Sequence, residues 1–380
     1  MTPNPSDKCR GVNNRTPWLG RTCAGPAGAT ASRVRGASLR RLPRSVVTPL
    51  IALAAIAWSA AARAADVIEQ SSLELAAVRD PQLGAQVAIA NHYGYFKEEG
   101  LNVTVRWTQS GADIMTFMAS GQQNLAAGST LGQVLMGAQG LPVKTIAALA
   151  DNAATQGLML SPGVKLASPR ELEGRKLAQT QGTPPILILS KMASLYDFDM
   201  RKITLVNMNA SEGVVAASKG DVDGLLSWEP NLSRLHSMGG TLYANGTTVF
   251  VTGSPQSQRL LYNNALLMAS QDWIDNKPNT LKAVLRAIIK ADRLLATDRP
   301  KALAALQEEL RIDPEPIKVM TENNIYGLAL TNAVALGMSE MGTWALENKR
   351  IQKTIDPEAL MAPKLLAEID PQLVRLEAKH

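Results

Sequence analysis

The sequence predicts an α/β fold with mainly parallel sheets, and two observations lead to this fold class. From Ala65 onward, short apolar strands alternate with amphipathic helices, as in α/β proteins. In addition, a helix–strand unit occurs twice, about a hundred residues apart. With 380 residues and a hydrophobic share of 46%, the chain is long enough for one large or two ordinary domains with well-formed cores.

The elements follow from apolar periodicity and from start and stop residues. Leu73–Val78 is predicted as a strand, followed by a helix that runs to Glu99 and stops at Gly100. Leu101–Trp107 alternates apolar and polar residues, as a half-buried strand does. The further predicted strands are Leu125–Ala127, Lys144–Leu149 and Lys176–Ala178. The further predicted helices are Ile114–Ala119, a helix marked by Leu281, Val284, Leu285 and Ile288, and one opened by Asp298 and Pro300.

The repeated unit consists of a helix, a Gly stop, a short polar spacer and an apolar strand that ends in polar groups. One copy runs from Asp113 to Thr130 and the other from Ser211 to Glu229. In open parallel sheets, ligands bind at the carboxyl ends of strands. The repeat is either a coincidence common in α/β proteins or the sign of two lobes that each present a strand end to a shared cleft.

The second interpretation predicts specific lobe boundaries. One lobe would comprise residues 66–157 and 263–380, and the other residues 158–262. The joining strands are expected near Gly157–Leu160 and Ala265–Met268. A chain that crosses twice permits hinge closure around a ligand.

Residues 1–64 are typical of a secretion leader. A basic segment precedes the Ala-rich apolar stretch Ser45–Ala62, and Ala62-Arg63-Ala64 provides a small-x-small cleavage pattern. The alternative is a membrane anchor, but the apolar stretch is short for a span and contains Pro49 and Ser59. We expect cleavage near Ala64 and a location in the periplasm.

The positive net charge belongs to this leader. Residues 1–65 hold ten Lys/Arg and one acid, so the remainder has a net charge of about −3, and no nucleic-acid partner is expected. Both cysteines, Cys9 and Cys23, also precede the apolar stretch, which leaves the exported chain without a disulfide or a Cys-metal site.

The sequence contains no recognisable catalytic centre. His92, His236 and His380 have no neighbouring Ser, Cys or acid in the spacing of a triad or a metal site. No phosphate-binding loop or complete dinucleotide fingerprint is present. We therefore expect a protein that is not an enzyme and that has no cofactor, metal or catalytic residue.

The run Gln179–Pro185 passes from a strand through a Gly turn into a helix. Thr183 is either simply the N-cap of that helix or a ligand contact beside exposed N–H groups, which favour an anionic or strongly polar group.

Trp228, at the end of an apolar strand, either packs in the core or forms the flat wall of a ligand slot with Glu229 beside it. Asn152 and Asn209 stand at other strand ends and are candidate hydrogen-bonding residues.

Several motifs, taken in order, resemble the nitrate/sulfonate/taurine group of ABC-transporter solute-binding proteins, which also includes binders of thiamine precursors. The resemblance covers residues 73 to 310. The motifs are Gly94–Val103, Ser110-Gly111, Ala119-Ser120-Gly121, Pro169–Lys176, Gly182-Thr183, Lys219–Asp223 and Trp228-Glu229-Pro230.

The resemblance implies a type II periplasmic-binding-protein fold, in which two α/β lobes close on a small molecule. It implies a membrane permease and its ATPase as partners, and we expect a monomer. The implied ligand positions are Gln82, Ser110, Gly111, Ser129, Thr130, Thr183, Trp228 and Glu229.

The expected ligand is a small polar or singly anionic organic solute, since the site motifs contain no Arg or Lys. Pro184 and Pro185 depart from the family pattern and remove a backbone donor from the anion-binding turn. Two alternatives stay open: a sensory binding protein for a chemoreceptor or kinase, and an enzyme like the thiamine-pyrimidine synthases that share the fold.

Overall fold

The computed structural model describes residues 67–251 and 255–377. Its strands are β1 (Ser72–Val78), β2 (Asn102–Thr108), β3 (Leu125–Ser129), β4 (Val143–Asp151), β5 (Gln156–Leu160), β6 (Lys176–Gln179), β7 (Thr204–Asn207), β8 (Gly224–Trp228), β9 (Thr241–Asn245), β10 (Thr248–Val249), β11 (Gln256–Ser257), β12 (Asn264–Ser270), β13 (Ile325–Thr331) and β14 (Val374–Arg375). The expected leader and its cleavage site lie outside the described residues. Within the described ranges, no helix has the length and apolar character needed to cross a membrane.

The α-helices surround these strands. They are α1 (Ala85–His92), α2 (Tyr95–Glu98), α3 (Gly111–Ala119), α4 (Thr130–Ala138), α5 (Pro185–Tyr196), α6 (Ala210–Lys219), α7 (Asn231–Ser237), α8 (Gln271–Asn276), α9 (Pro278–Thr297), α10 (Arg299–Leu310), α11 (Pro314–Asn323), α12 (Asn332–Glu347) and α13 (Lys364–Ile369). The predicted α/β class is confirmed, but the expectation of mainly parallel sheets is wrong: parallel pairs such as β1–β2 and β6–β7 occur beside antiparallel pairs such as β4–β12 and β5–β8, so both sheets are mixed.

The strands form two sheets with the same internal order. The first sheet runs β14-β13-β4-β12-β3-β1-β2, and the second runs β11-β10-β9-β5-β8-β6-β7. In each sheet one strand is inserted antiparallel between its neighbours, β12 between β3 and β4 and β5 between β8 and β9. Strands β3 and β8 therefore hold equivalent positions, and they are the strands of the two repeated units. The repeat in the sequence reflects a repeat in topology.

The chain passes between the sheets twice. The first passage is short, from the end of β4 at Asp151 to the start of β5 at Gln156, and the return leads from β11 to β12 at Asn264. The segments expected to join the lobes, Gly157–Leu160 and Ala265–Met268, are instead central strands of the two sheets. Each is fully paired on both sides, so the joining role falls to the residues just before each strand.

One local prediction is corrected by glycine geometry, and two others are confirmed. The helix expected to run to Glu99 is broken into α1 and α2 because Gly94 takes the left-handed conformation, with φ of 71°. The stop at Gly100, with φ of 79°, is confirmed. The start of α10 is also as predicted, since the Asp298 side chain accepts the Lys301 N–H at 3.2 Å.

The core lies between each sheet and its helices. On α9 the predicted face of Leu281, Val284, Leu285 and Ile288 is fully buried. In the second sheet, a smaller apolar cluster packs α6 and α7 onto one face through Val214, Ala217 and Leu235. Apolar packing therefore covers both sheets.

Candidate functional site

A cleft with about 540 Å³ of empty space, part of it open to solvent, lies where the two sheets meet. From the first sheet and its helices it is lined by Val78, Asp80, Gln82, Leu83, Ser110, Gly111, Ala112, Met115, Ser129 and Gly132. From the second it is lined by Gln156, Gly182, Thr183, Pro184 and Trp228, and from the passages by Asn152 and Asn263. A ligand here would touch both lobes and both passages.

Helix N-termini point toward this cleft. Ser110 caps α3 in a capping box, in which its Oγ accepts the Asp113 N–H and its own N–H is accepted by Asp113. Ser129 caps α4, where its Oγ accepts the Gly132 N–H at 3.3 Å. These two helices and α5, which follows Pro184, bring the positive ends of their dipoles to one place. This side of the cleft favours an anionic or strongly polar group.

Asp80 is the only ionisable side chain that lines the cleft among the described residues. Its Oδ1 accepts the backbone N–H groups of Gln82 and Leu83 at 2.9 and 2.8 Å. Only 7% of the residue is exposed. Burial raises the pKa of its carboxyl to about 6, although the two hydrogen bonds pull it down. Burial of an ionised carboxylate destabilises the folded state unless a partner group stabilises the charge.

Gln82 connects the lobes. Its Oε1 accepts the Gln156 side-chain amide at 2.9 Å and the Thr155 hydroxyl, and its Nε2 donates to the Glu229 carbonyl at 2.5 Å. Gln82 belongs to the loop after β1, whereas its partners belong to the first passage, β5 and the loop after β8. Both ends of its amide are therefore committed within the protein.

Asn152 and Asn263 tie the two passages together. The Asn152 N–H donates to the Asn263 carbonyl at 3.0 Å, and the Asn263 side-chain amide donates to Asn152 Oδ1 at 2.6 Å. Nearby, Asp151 and Arg259 form an ion pair between the same two segments. The passages are thus joined at the floor of the cleft.

Thr183 and Trp228 both line the cleft from the second lobe. The Thr183 hydroxyl donates to the Thr180 carbonyl at 2.6 Å and accepts no helix N–H, because α5 begins after Pro184 without a side-chain cap. The simple cap interpretation of Thr183 is wrong. Trp228 ends β8 opposite Gln156 and is half-buried, with part of its ring available to a ligand.

Three predicted site residues do not line the cleft. Thr130 is fully buried and exchanges hydrogen bonds with the backbone of Asn264, which fastens α4 to β12. Asn209 is the N-cap of α6 in a capping box and lies on the surface. Glu229 points its carboxylate at the Ser233 N–H, at 3.0 Å, and contacts the cleft region through its backbone, whose carbonyl accepts from Gln82 and whose N–H donates to the Thr155 carbonyl. The other seven predicted residues lie together around the cleft: Gln82, Ser110, Gly111, Ser129, Asn152, Thr183 and Trp228.

Sequence reasoning missed Asp80, Met115, Gln156 and Asn263. Asp80 is the second residue after β1, in a loop already singled out through Gln82. Asn263 and Gln156 stand next to the passages, and the misplacement of the joining strands hid them. Met115 is one turn into α3, where its apolar side chain was indistinguishable from a core residue.

The family described as NMT1/THI5 like has a model that matches residues 84–302, more than half of the chain, and the chain belongs to this family. The periplasmic aliphatic sulphonate binding protein of Escherichia coli has a similar structure, with a TM-score of 0.66 over 82% of this chain and 96% of that one, at 15% sequence identity. This likeness establishes the periplasmic-binding-protein fold expected from the sequence.

Two relatives represent different activities. The taurine-binding periplasmic protein of Escherichia coli strain K12 is 25% identical over 250 residues, covering 65% of this chain and 71% of the relative. The 4-amino-5-hydroxymethyl-2-methylpyrimidine phosphate synthase of Uromyces fabae is 22% identical over 222 residues, covering 56% of this chain and 63% of the relative. This chain is thus similar both to a binding protein and to an enzyme.

Proposed function

We propose that this protein is the periplasmic substrate-binding component of an ABC importer. It captures a small polar or singly anionic organic solute of the sulfonate, nitrate or taurine-like class and delivers it to a permease driven by its ATPase. The observation that carries the proposal is the cleft between two similar lobes, lined with helix N-termini on one side and by Trp228 on the other. The relatives that bind taurine and aliphatic sulphonates support the ligand class.

Capture proceeds by hinge closure of the lobes 66–157 plus 263–380 and 158–262. The two passages are the only covalent links between the sheets within the described residues, and they lie side by side through Asn152 and Asn263. Rotation about two adjacent segments opens one side of the cleft while leaving both sheets intact. In the conformation described here, contacts across the cleft include Gln82 with Gln156 and Lys191 with Glu340 at 4.0 Å.

A thermal-shift screen of the purified protein tests this function. Sulfonates, carboxylates, nitrate and heteroaromatic compounds form the panel, and hits are titrated calorimetrically. We expect at least one compound to raise the melting temperature in a saturable way, since a ligand that binds only the folded state stabilises it. Failure of the whole panel would contradict the proposed function.

Uptake then separates transport from sensing. Deletion of the gene should abolish uptake of the labelled solute if the protein feeds an importer, and the uptake should return on complementation. Normal uptake in the deletion strain, with a lost chemotactic or kinase response, would favour the sensory alternative.

An enzyme is the second candidate, because a pyrimidine phosphate synthase is among the relatives. Within the described residues that line the cleft there is neither His nor Cys, the residue types on which the synthase-like alternative relies. The donor set favours binding over that chemistry. Formation of 4-amino-5-hydroxymethyl-2-methylpyrimidine phosphate by the purified protein would reverse this ranking.

A further inference from the structure

Two of the polar groups that line the Asp80 side of the cleft keep an acceptor atom without a partner among the described residues. Asp80 uses only Oδ1 within the protein, and its Oδ2 has no hydrogen-bond partner among the described residues. Asn263, which is 2% exposed and also lines the cleft, has an Oδ1 without a partner. Two acceptors in a desolvated site call for a donor from outside the chain.

Three side-chain amides in the same part of the cleft already donate within the protein. Gln82 Nε2 donates to the Glu229 carbonyl, and Gln156 Nε2 donates to Gln82 Oε1. Asn263 Nδ2 donates to Asn152. The Thr183 hydroxyl gives its proton to the Thr180 carbonyl, so its oxygen can only accept from a ligand. Unpartnered acceptor atoms thus remain at Asp80 and Asn263, and the described residues that line the cleft include no side-chain cation to receive an anion.

We propose that the ligand carries a protonated amino group and that Asp80 and Asn263 bind it, while the helix N-termini at Ser110 and Ser129 receive its anionic end. This inference rests on the proposed function, because it specifies the solute that the cleft takes. It narrows the solute to a zwitterion, such as an aminoalkane sulfonate or an amino acid with separated charges. A simple sulfonate or nitrate would leave the Asp80 charge without a partner.

The desolvation of Asp80 supports this assignment. Its carboxyl has a pKa raised to about 6, and no cationic side chain is among the described residues that line the cleft with it. An ammonium group would stabilise the charged carboxylate through a charge-assisted hydrogen bond, which is stronger than a neutral one. A simple anion would instead add repulsion in a site with little water to screen it.

Matched probes that differ only by the amino group test the inference. The pairs are taurine with ethanesulfonate, 3-aminopropanesulfonate with propanesulfonate, and β-alanine with propionate, each titrated calorimetrically into the purified protein at pH 7.5. In at least one pair we expect the amine to bind at least tenfold more tightly than its amine-free partner. Equal or tighter binding of the amine-free member in every pair overturns the inference, and so does a lack of binding by all six probes. The proposed function falls only if the wider screen fails as well.

A pair of variants then connects the selectivity to Asp80. Asp80→Asn keeps the shape and an oxygen for the Gln82 and Leu83 N–H groups, and it should weaken binding of the amine at least tenfold. Asp292→Asn is the matched control, since Asp292 is a largely buried carboxylate with a raised pKa outside the cleft lining. Unchanged amine affinity in Asp80→Asn, or an equal loss in both variants, overturns the role of Asp80.

Proton release provides a test in the unaltered protein, in case Asp80→Asn does not fold. At pH 6, binding of an ammonium group to Asp80 should release up to about half a proton, measured by calorimetry in buffers of different ionisation heat. Titratable groups around the Asp80 loop include Tyr326, whose hydroxyl donates to the Pro81 carbonyl, and Arg79, whose guanidinium lies over Trp107. Asp292 and Arg299 act on Tyr326, and the backbone carbonyl of Glu229 accepts from Gln82. Burial also raises the pKa of Glu229, so Glu229→Gln is the control and should retain the release. Amine binding without proton release would contradict the inference.

Discussion

At the scale of single residues, the polar groups of the cleft divide into those that hold the protein together and those left for a ligand. Gln82 was expected to contact the ligand, yet its amide is fully used between the loop after β1, β5 and the loop after β8. Asp80, two residues earlier, keeps a free carboxyl oxygen. Partners distant in sequence determine whether Asp80 or Gln82 is free to contact a ligand. The position of a residue at a strand end therefore could not show which of the two is available.

The pH dependence of stability tests the environment of Asp80. Its pKa in the folded state is about 6, above an unfolded value of about 3.9. Because its pKa is higher in the folded state, Asp80 binds a proton more tightly there than in the unfolded chain. The contribution of Asp80 to the free energy of unfolding is therefore fully present below about pH 4 and is lost as the pH rises through 6. Without ligand, Asp80→Asn should therefore gain about 2–3 kcal/mol over the wild type between pH 4 and pH 7.5. Urea unfolding at several pH values measures this, and a pH-independent difference between the two proteins would contradict it.

Thr183 distinguishes a turn residue from a ligand contact. Thr183→Ala removes the hydroxyl that donates to the Thr180 carbonyl and should cost about 1 kcal/mol of unfolding free energy. If the hydroxyl oxygen also accepts from the ligand, binding weakens by about 0.5–1.5 kcal/mol, and Thr183→Ser restores both. Thermal unfolding and calorimetric titration provide the two values. A lower melting temperature with unchanged affinity would confine Thr183 to the turn.

At the scale of elements, the repeated helix–strand unit was the most informative pattern in the sequence. Its two strands occupy the same position in two sheets of the same order, and their ends at Ser129 and Trp228 both line the cleft. The positions of the passages were harder to predict, because β5 and β12 are as apolar as any buried strand. Only the pairing shows that both are central strands and that the chain crosses before each.

Tight packing beside the first passage is tested at Gly246. A Cβ at Gly246 would lie 2.3 Å from the Ala153 carbonyl oxygen, a backbone atom that cannot move without shifting the passage. Gly246→Ala should therefore reduce the unfolding free energy by about 1–3 kcal/mol. Gly111→Ala is the matched control, since its nearest contact would be Ser129 Oγ at 3.5 Å, an ordinary separation. Equal stability of the two variants in urea would contradict the packing argument.

At the scale of the whole molecule, the fold class and seven residues of the cleft could be predicted from the sequence. Periodicity shows strands and helices, and strand ends indicate where a ligand binds in such sheets. Asp80, Gln156 and Asn263 could not be assigned because their importance comes from burial and from unpaired atoms. Those properties exist only after the two lobes and both passages are assembled.

A separate prediction concerns the removal of the leader when the protein is exported. The basic, apolar and small-x-small succession in residues 1–64 predicts that the leader is removed during secretion. Mass spectrometry of the periplasmic fraction should give a mature N-terminus near Ala65. A protein with an intact leader, or one extractable only with detergent, would contradict this expectation.

The central claim is that the cleft between the lobes binds a small solute, and Trp228 tests it most directly. The best ligand from the screen is titrated calorimetrically into the wild type, into Trp228→Ala and into Trp344→Ala, a tryptophan variant outside the cleft lining. The account predicts single-site binding by the wild type and a loss of about 1.5–3 kcal/mol in Trp228→Ala alone, from lost apolar burial. Unchanged affinity in a folded Trp228→Ala protein would show that the solute binds elsewhere, which would contradict the account.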